Sequence, residues 1–168
     1  IATRVDYFGV RLAEALAEEG RKADLIVGNN VLAQVPVLND FVAGIARLLK
    51  SEGVVTLEFP HLARLMMENQ FDTIYHEHFS YFSFLTIDQL ARRHSLKVID
   101  VEELPTHGGS LRVYLAHRTS DRIPSSAVSE LLAREENSGF RDLTKYASFA
   151  EQVRRTKRRL LCFLIAAK

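Results

Sequence analysis

The sequence predicts an α/β fold in which a partly parallel sheet ends in an antiparallel hairpin and is followed by helices. Three observations carry that expectation. Residues 24–28 (Asp-Leu-Ile-Val-Gly) and 54–59 (Val-Val-Thr-Leu-Glu-Phe) are short apolar runs of the kind buried on both faces in a helix-covered sheet. A helical stretch with Phe41, Ile45, Leu48 and Leu49 on one face lies between them, as the crossover between parallel neighbours requires. Residues 96–102 and 110–117 then read as strands with no helix between them, which pairs them antiparallel.

In chain order, residues 3–7 alternate and stop at Phe8-Gly9, which predicts a strand and a turn. Residues 10–18 repeat Leu12, Ala15 and Leu16 at helical spacing, with Gly20 as a stop. Asn39-Asp40 offers a cap for the crossover helix, Ser51-Glu52-Gly53 breaks it, and Pro60 ends the strand at 54–59. Residues 67–84 are irregular, polar and aromatic. Helix returns at 86–94, where Thr86-Ile87-Asp88-Gln89 resembles a capping box. Ile123-Pro124-Ser125-Ser126 reads as a linker-like hinge before helices at 127–136 and 140–167. Two units are expected, residues 1–118 and a helical segment 119–168.

Composition excludes several function classes. The chain is 47% apolar and 26% charged with a net charge of +1, an ordinary globular balance that gives no electrostatic case for nucleic acid. No segment reaches the roughly 18 continuous apolar residues of a membrane span. Cys162 is the single cysteine, so an internal disulfide and a cysteine-rich zinc site are both excluded within this chain, and a cytoplasmic location is the default. The basic run at 154–159 reads as a solvated helix face. The chain begins at Ile1 and stops at Lys168 in a helical run containing Leu160, Leu161, Phe163, Leu164 and Ile165. A fragment of a larger protein is expected, with that run packed on missing chain or on a second copy.

Three constellations carry candidate chemistry. The first is residues 71–81, Phe-Asp-Thr-Ile-Tyr-His-Glu-His-Phe-Ser-Tyr, on an irregular stretch beyond the strand end at Phe59, where open α/β sheets form their ligand crevice. A histidine there is suited to removing a proton beside a carbonyl, and a tyrosine to donating to the developing enolate oxygen. The plainer reading is of loop histidines bonded to backbone, and the His-Glu-His spacing matches no strong zinc pattern. The second is residues 104–112, where Gly108-Gly109 allow close backbone approach and His107, Ser110 and Arg112 are able to meet phosphate or hydroxyls. A plain glycine turn is the alternative. The third is residues 28–36, where Asn29 and Asn30 follow a buried strand and either bind a ligand or form a turn. His61, His94 and His117 lie in or beside regular elements and read as structural, although His61 follows a strand end.

Together, Asn29-Asn30-Val31-Leu32-Ala33, Leu57-Glu58-Phe59-Pro60-His61, the run Glu68-Asn69-Gln70-Phe71-Asp72-Thr73-Ile74-Tyr75-His76-Glu77-His78-Phe79-Ser80-Tyr81 and residues 102–112 resemble one family. It is the C-methyltransferases that use S-adenosyl-L-methionine to methylate nucleotide-linked keto-deoxysugars. The resemblance implies the C-terminal part of a class I methyltransferase (Rossmann-like) domain from its third strand onward, leading into a substrate-binding domain beyond residue 168. It implies zinc only in a separate N-terminal region and no metal here. It makes His78 the base and gives Tyr75 and Glu77 positioning roles. It places Phe8 and Asn30 on the cofactor; Asn29 and Gln34 are further cofactor candidates, and His76, His107, Ser110 and Arg112 are the candidates for the nucleotide-sugar. The family commonly carries a second active-site histidine where this sequence has Gln34, which hydrogen-bonds but is no base at neutral pH. Its glycine-rich cofactor loop would lie before Ile1, so S-adenosyl-L-methionine binding by this chain alone is expected to be weak or absent. The alternatives are a methyltransferase-like module without catalysis and an O- or N-methyltransferase of a small metabolite.

Overall fold

The computed structural model describes residues 2–168. Residues 3–7 form no strand, and Val5 and Tyr7 are almost wholly exposed. Alternation alone does not hold a strand, because its N–H and C=O groups need a neighbouring ladder. Helix α1 (Val10–Glu18) follows. Its first N–H, on Val10, donates to Asp40 Oδ1 at 3.3 Å, so Asp40 serves the N-terminus of α1. The expected cap of the next helix is therefore spent on its neighbour, and α2 (Leu38–Leu48) starts without a side-chain cap. A Cβ on Gly44 would lie 2.7 Å from the Gly9 carbonyl carbon, so the close approach of α1 to α2 depends on glycine there.

Four strands form one sheet in the order β1 (Ala23–Asn29), β2 (Leu49–Pro60), β4 (Ser110–His117), β3 (Leu96–Leu104). β1 and β2 are parallel across α2, while β4 runs antiparallel to both β2 and β3. The hairpin predicted at the end of the sheet is present, with β4 inserted between β2 and β3. Strand β2 begins earlier than the sequence suggests. Ala23 pairs with Leu49 but Leu25 with Val54, so residues 51–53 bulge within the strand rather than separating it from α2.

The sheet is covered on one face. Val55, Leu57 and Phe59 of β2 and Leu111, Val113 and Leu115 of β4 pack with Val42 and Ile45 of α2 and Ile87 and Ala91 of α4 (Phe84–Arg93). Each of these side chains larger than alanine contributes about 1.5–3 kcal/mol when fully buried. Helix α5 (Ser126–Asn137) adds Val128 and Leu131 to the same core. Residues 123–126 are accordingly no free hinge: Ser125 N donates to Ile99 O at 2.9 Å and Ser125 Oγ to Asp100 Oδ1 at 2.5 Å. The other face of the sheet is open at β1, where Leu25 is 58% and Val27 59% exposed. The both-face burial expected of residues 24–28 is thus absent: β1 is an edge strand with only Ile26 turned to the core.

Helix α4 begins two residues earlier than expected. Its cap is Ser83, whose hydroxyl accepts from Thr86 N, and Thr86 lies inside the first turn. The stretch expected to be irregular is preceded by a short helix, α3 (Leu62–Met67). Helix α6 (Leu143–Ala166) lays Tyr146 and Phe149 against Leu65, Met66, Leu85 and Phe140. Gln152 and Thr156 fasten it further, to Met66 O and Asn69 Nδ2. Beyond them Leu160, Leu161, Phe163, Leu164 and Ile165 are exposed. Among the described residues no helix is long and apolar enough to cross a membrane.

One buried carboxylate joins these pieces. Glu135 of α5 is 2% exposed and accepts from the α4 backbone at Phe84 N (2.8 Å) and Leu85 N (2.9 Å). It also lies 2.6 Å from His61 Nε2 at the end of β2. Replacing Glu135 with Ala would leave a buried imidazole N–H and two helix N–H groups without an acceptor, a loss of about 3–5 kcal/mol by the standard of broken buried pairs. Urea unfolding should show that loss in the midpoint with little change in slope, and a loss under about 1 kcal/mol would show that other donors or water replace the carboxylate.

Candidate functional site

The carboxyl ends of β1 and β2 open toward the same side, the usual ligand crevice of a parallel sheet. Loops leaving that side are tied to one another by backbone. Asn30 N donates to Glu58 O at 2.8 Å, holding the turn after β1 against β2. The Ala33 carbonyl, on the 3₁₀ turn Leu32–Gln34, accepts from Phe79 N (2.8 Å) and Ser80 N (3.2 Å). His61 N donates to Gly109 O at 3.0 Å, and Gln70 Nε2 to Gly108 O at 2.8 Å. The positive φ of Gly108 (+79°) and Gly109 (+121°) turns the β3–β4 loop back toward these partners.

Between the loops lies a cavity of ≈ 320 Å³, lined by Asn30, Gln34, His61, Tyr75, His78 and His107 with Pro60, Leu65, Gln70 and Thr73. No aspartate or glutamate lines it, so its polar wall consists of amides, imidazoles and hydroxyls. Asn30 and His107 both adopt left-handed backbone (φ +53° and +52°), and their side chains meet at 3.3 Å. Neither is glycine, but asparagine and histidine are among the residues that adopt this conformation more readily.

His78 is fixed from three directions. Its ring lies 4.5 Å from the Tyr75 ring at 34°, and Tyr81 meets it edge-on at 5.6 Å. Its Nδ1 lies 3.3 Å from the Thr73 carbonyl, which only accepts. A neutral His78 therefore carries its proton on Nδ1 and leaves the Nε2 lone pair unprotonated. That arrangement suits proton abstraction, with the Tyr75 hydroxyl as a donor beside it.

The structure brings together Asn30, Gln34, Tyr75, His78 and His107 of the sequence candidates. It does not bring the others into the cavity. His76 and Glu77 form an exposed turn, and Asn29 is exposed at the end of β1. The Phe8 ring packs edge-on against Phe41 at 5.4 Å. Ser110 is buried, with its hydroxyl donating to Thr106 O at 3.1 Å. Arg112 donates to the buried Glu58 carboxylate at 2.8 Å. That bond and, behind it, one with Tyr114 raise the Arg112 pKa. Burial first, and then the Glu102 carboxylate, raise that of Tyr114. In this structure Ser110 and Arg112 thus hold the loop and the open sheet face and do not line the cavity.

Sequence reasoning missed the partnership of His61 with Glu135. A signal was present: Val128, Leu131 and Glu135 fall at i, i+3 and i+7 of one helix, which puts an acid on the buried face. It also missed Gln70 and Thr73, whose bonds run to backbone carbonyl groups from distant or irregular segments.

Residues 4–101 match the family model of a methyltransferase domain, and residues 105–168 match a C-methyltransferase C-terminal domain. The chain is similar to the C-methyltransferase NovU of Streptomyces niveus, with 36% identity over 162 residues that make up 95% of this chain and 39% of that protein. A shorter similarity, 43% over 51 residues, links 30% of the chain to 20% of the ubiquinone biosynthesis O-methyltransferase of Bartonella quintana (strain Toulouse). The chain thus spans well under half the length of either relative. Among solved structures, a SAM-dependent methyltransferase from Anabaena variabilis ATCC 29413 superposes with a TM-score of 0.50 at 13% identity, over 68% of this chain and 57% of that one. That is a likeness of fold.

The hydrogen bonds predict opposite neutral tautomers for two histidines of the cavity. Nitrogen-15 histidine spectra should show His78 protonated on Nδ1, toward Thr73, and His61 on Nε2, toward Glu135. A His78 signal with a bare Nδ1 would remove the Thr73 bond and the lone-pair orientation that depends on it.

Proposed function

The chain belongs to the methyltransferase-domain family, and from that premise we propose that it forms part of an S-adenosyl-L-methionine-dependent C-methyltransferase acting beside the keto group of a nucleotide-linked deoxysugar. The observation that carries this reading is the His78 imidazole, held with Nε2 as the unprotonated nitrogen in a cavity that Tyr75 shares. The similarity to a named C-methyltransferase along most of the chain supports the carbon acceptor. A cavity without a carboxylate also suits a neutral, hydroxyl-bearing ligand.

In this mechanism His78 Nε2 takes the proton from the carbon next to the keto group, and the C–H electron pair passes into the enolate. The Tyr75 hydroxyl donates to the developing enolate oxygen, where a fixed donor is worth more than in water. Thr73 keeps the ring oriented through Nδ1 while Nε2 holds the proton. Asn30 and Gln34, with amides on the cavity wall at the end of β1, fit the polar body of the cofactor and would hold it there. When bound, the cofactor supplies the methyl group that the carbanionic carbon takes up. Glu77 and His76, on the exposed turn between Tyr75 and His78, set the length of that turn and hence the placement of His78. His107, bonded to Asn30, meets the sugar from the β3–β4 loop.

Replacing His78 with Asn in the full-length protein should slow solvent-deuterium exchange at the carbon beside the keto group by roughly 10²–10⁴-fold while cofactor binding persists. Proton exchange at the native rate in that variant would remove His78 from the mechanism.

A further inference from the structure

His61 presents a buried group that the mechanism above leaves unused. It is 3% exposed, and it lines the same cavity as Tyr75 and His78. Its backbone is fully engaged: the N–H donates to Gly109 O and the carbonyl accepts from Leu65 N. Its Nε2 lies against Glu135 Oε1 at 2.6 Å, and a carboxylate only accepts, so Nε2 carries the proton. Glu135 is itself held by Phe84 N and Leu85 N, which prevents it from turning away. The ring is therefore locked, and Nδ1 is left buried with a lone pair and no partner. A buried polar atom in that condition costs about 1–3 kcal/mol and calls for a donor.

Among the described residues no group is bonded to Nδ1. Gln70, the neighbouring amide of the cavity, has its Nε2 committed to Gly108 O and to Glu68 Oε2. A hydroxyl, which donates without bringing a net charge, suits a wall of amides, imidazoles and hydroxyls.

We propose that His61 is a ligand-binding residue of this cavity, its Nδ1 accepting a hydrogen bond from a hydroxyl of the sugar. Taking the hydroxyl to be a sugar's rests on the function proposed above. Glu135 is the positioning residue: it fixes the tautomer that makes Nδ1 an acceptor. Nδ1 is sealed in this structure, so the bond forms only where ligand binding opens the cavity wall beside His61. His61 and His78 then divide the work: His61 selects a ligand with a hydroxyl in reach, and His78 handles the proton.

Two substitutions separate this role from a structural one. In His61→Gln the side-chain amide nitrogen takes the place of Nε2 and still donates to Glu135, while the Nδ1 acceptor is lost. In His61→Asn the amide oxygen stands near Nδ1, and the donor to Glu135 is lost. The full-length protein and both variants would be titrated calorimetrically with uridine-, thymidine- and guanosine-diphosphate-linked 4-keto-6-deoxyhexoses. The expected result is that His61→Gln keeps the native melting temperature but binds the accepted sugar about tenfold more weakly, whereas His61→Asn melts earlier. Unchanged binding by His61→Gln would overturn the role of His61 and leave the proposed function standing. Failure of the native protein to bind any of the panel would overturn the sugar reading and this inference with it. A check free of folding effects is the nitrogen-15 signal of His61 Nδ1 in the native protein, which should move on adding the accepted sugar; an unmoved signal refutes the bond.

Discussion

The fold depends on where one carboxylate can be satisfied. Glu135 is a carboxyl group removed from water, so its oxygens must find their partners inside the protein. The first turn of α4 has the opposite problem, since its leading N–H groups have no carbonyl within the helix. Each answers the other through Phe84 N and Leu85 N, and the positive end of the helix favours the negative charge. His61 completes the arrangement from the end of β2. Three segments distant in sequence are thereby oriented by one side chain, and a cavity wall is placed as a result.

The parts set by local periodicity were the most legible in the sequence. Leu12, Ala15 and Leu16 marked α1, and the apolar runs at 54–59 and 110–117 marked strands that the sheet contains. The absence of a helix between residues 96 and 117 was enough to foresee the hairpin. What could not be read were facts about partners. Residues 3–7 have a strand's alternation without a ladder to join, and Leu25 and Val27 have a buried strand's composition on an uncovered face. Asp40 resembled the cap of its own helix, yet its oxygen reaches Val10 thirty positions earlier. Glu135 and Gln70 likewise act across space, where periodicity carries no information.

The candidate site was legible as a list of residue types and illegible as a shape. Tyr75, His78, Asn30, Gln34 and His107 share one cavity, and no spacing rule joins positions so far apart. Ser110 and Arg112 had suitable chemistry but are consumed by Thr106 and Glu58. Asn30 and His107 meet from left-handed backbone, which asparagine and histidine adopt more readily than most non-glycine residues.

The paired bonds from Phe79 and Ser80 to the Ala33 carbonyl join only main-chain atoms. They are indifferent to which side chain stands one position later, at residue 34. The placement of His78, by contrast, descends through that same pair of amides. The side chain at residue 34 and the placement of His78 are therefore mechanically separable: a substitution at 34 changes what one wall of the cavity presents without loosening the main-chain link that sets the neighbouring wall.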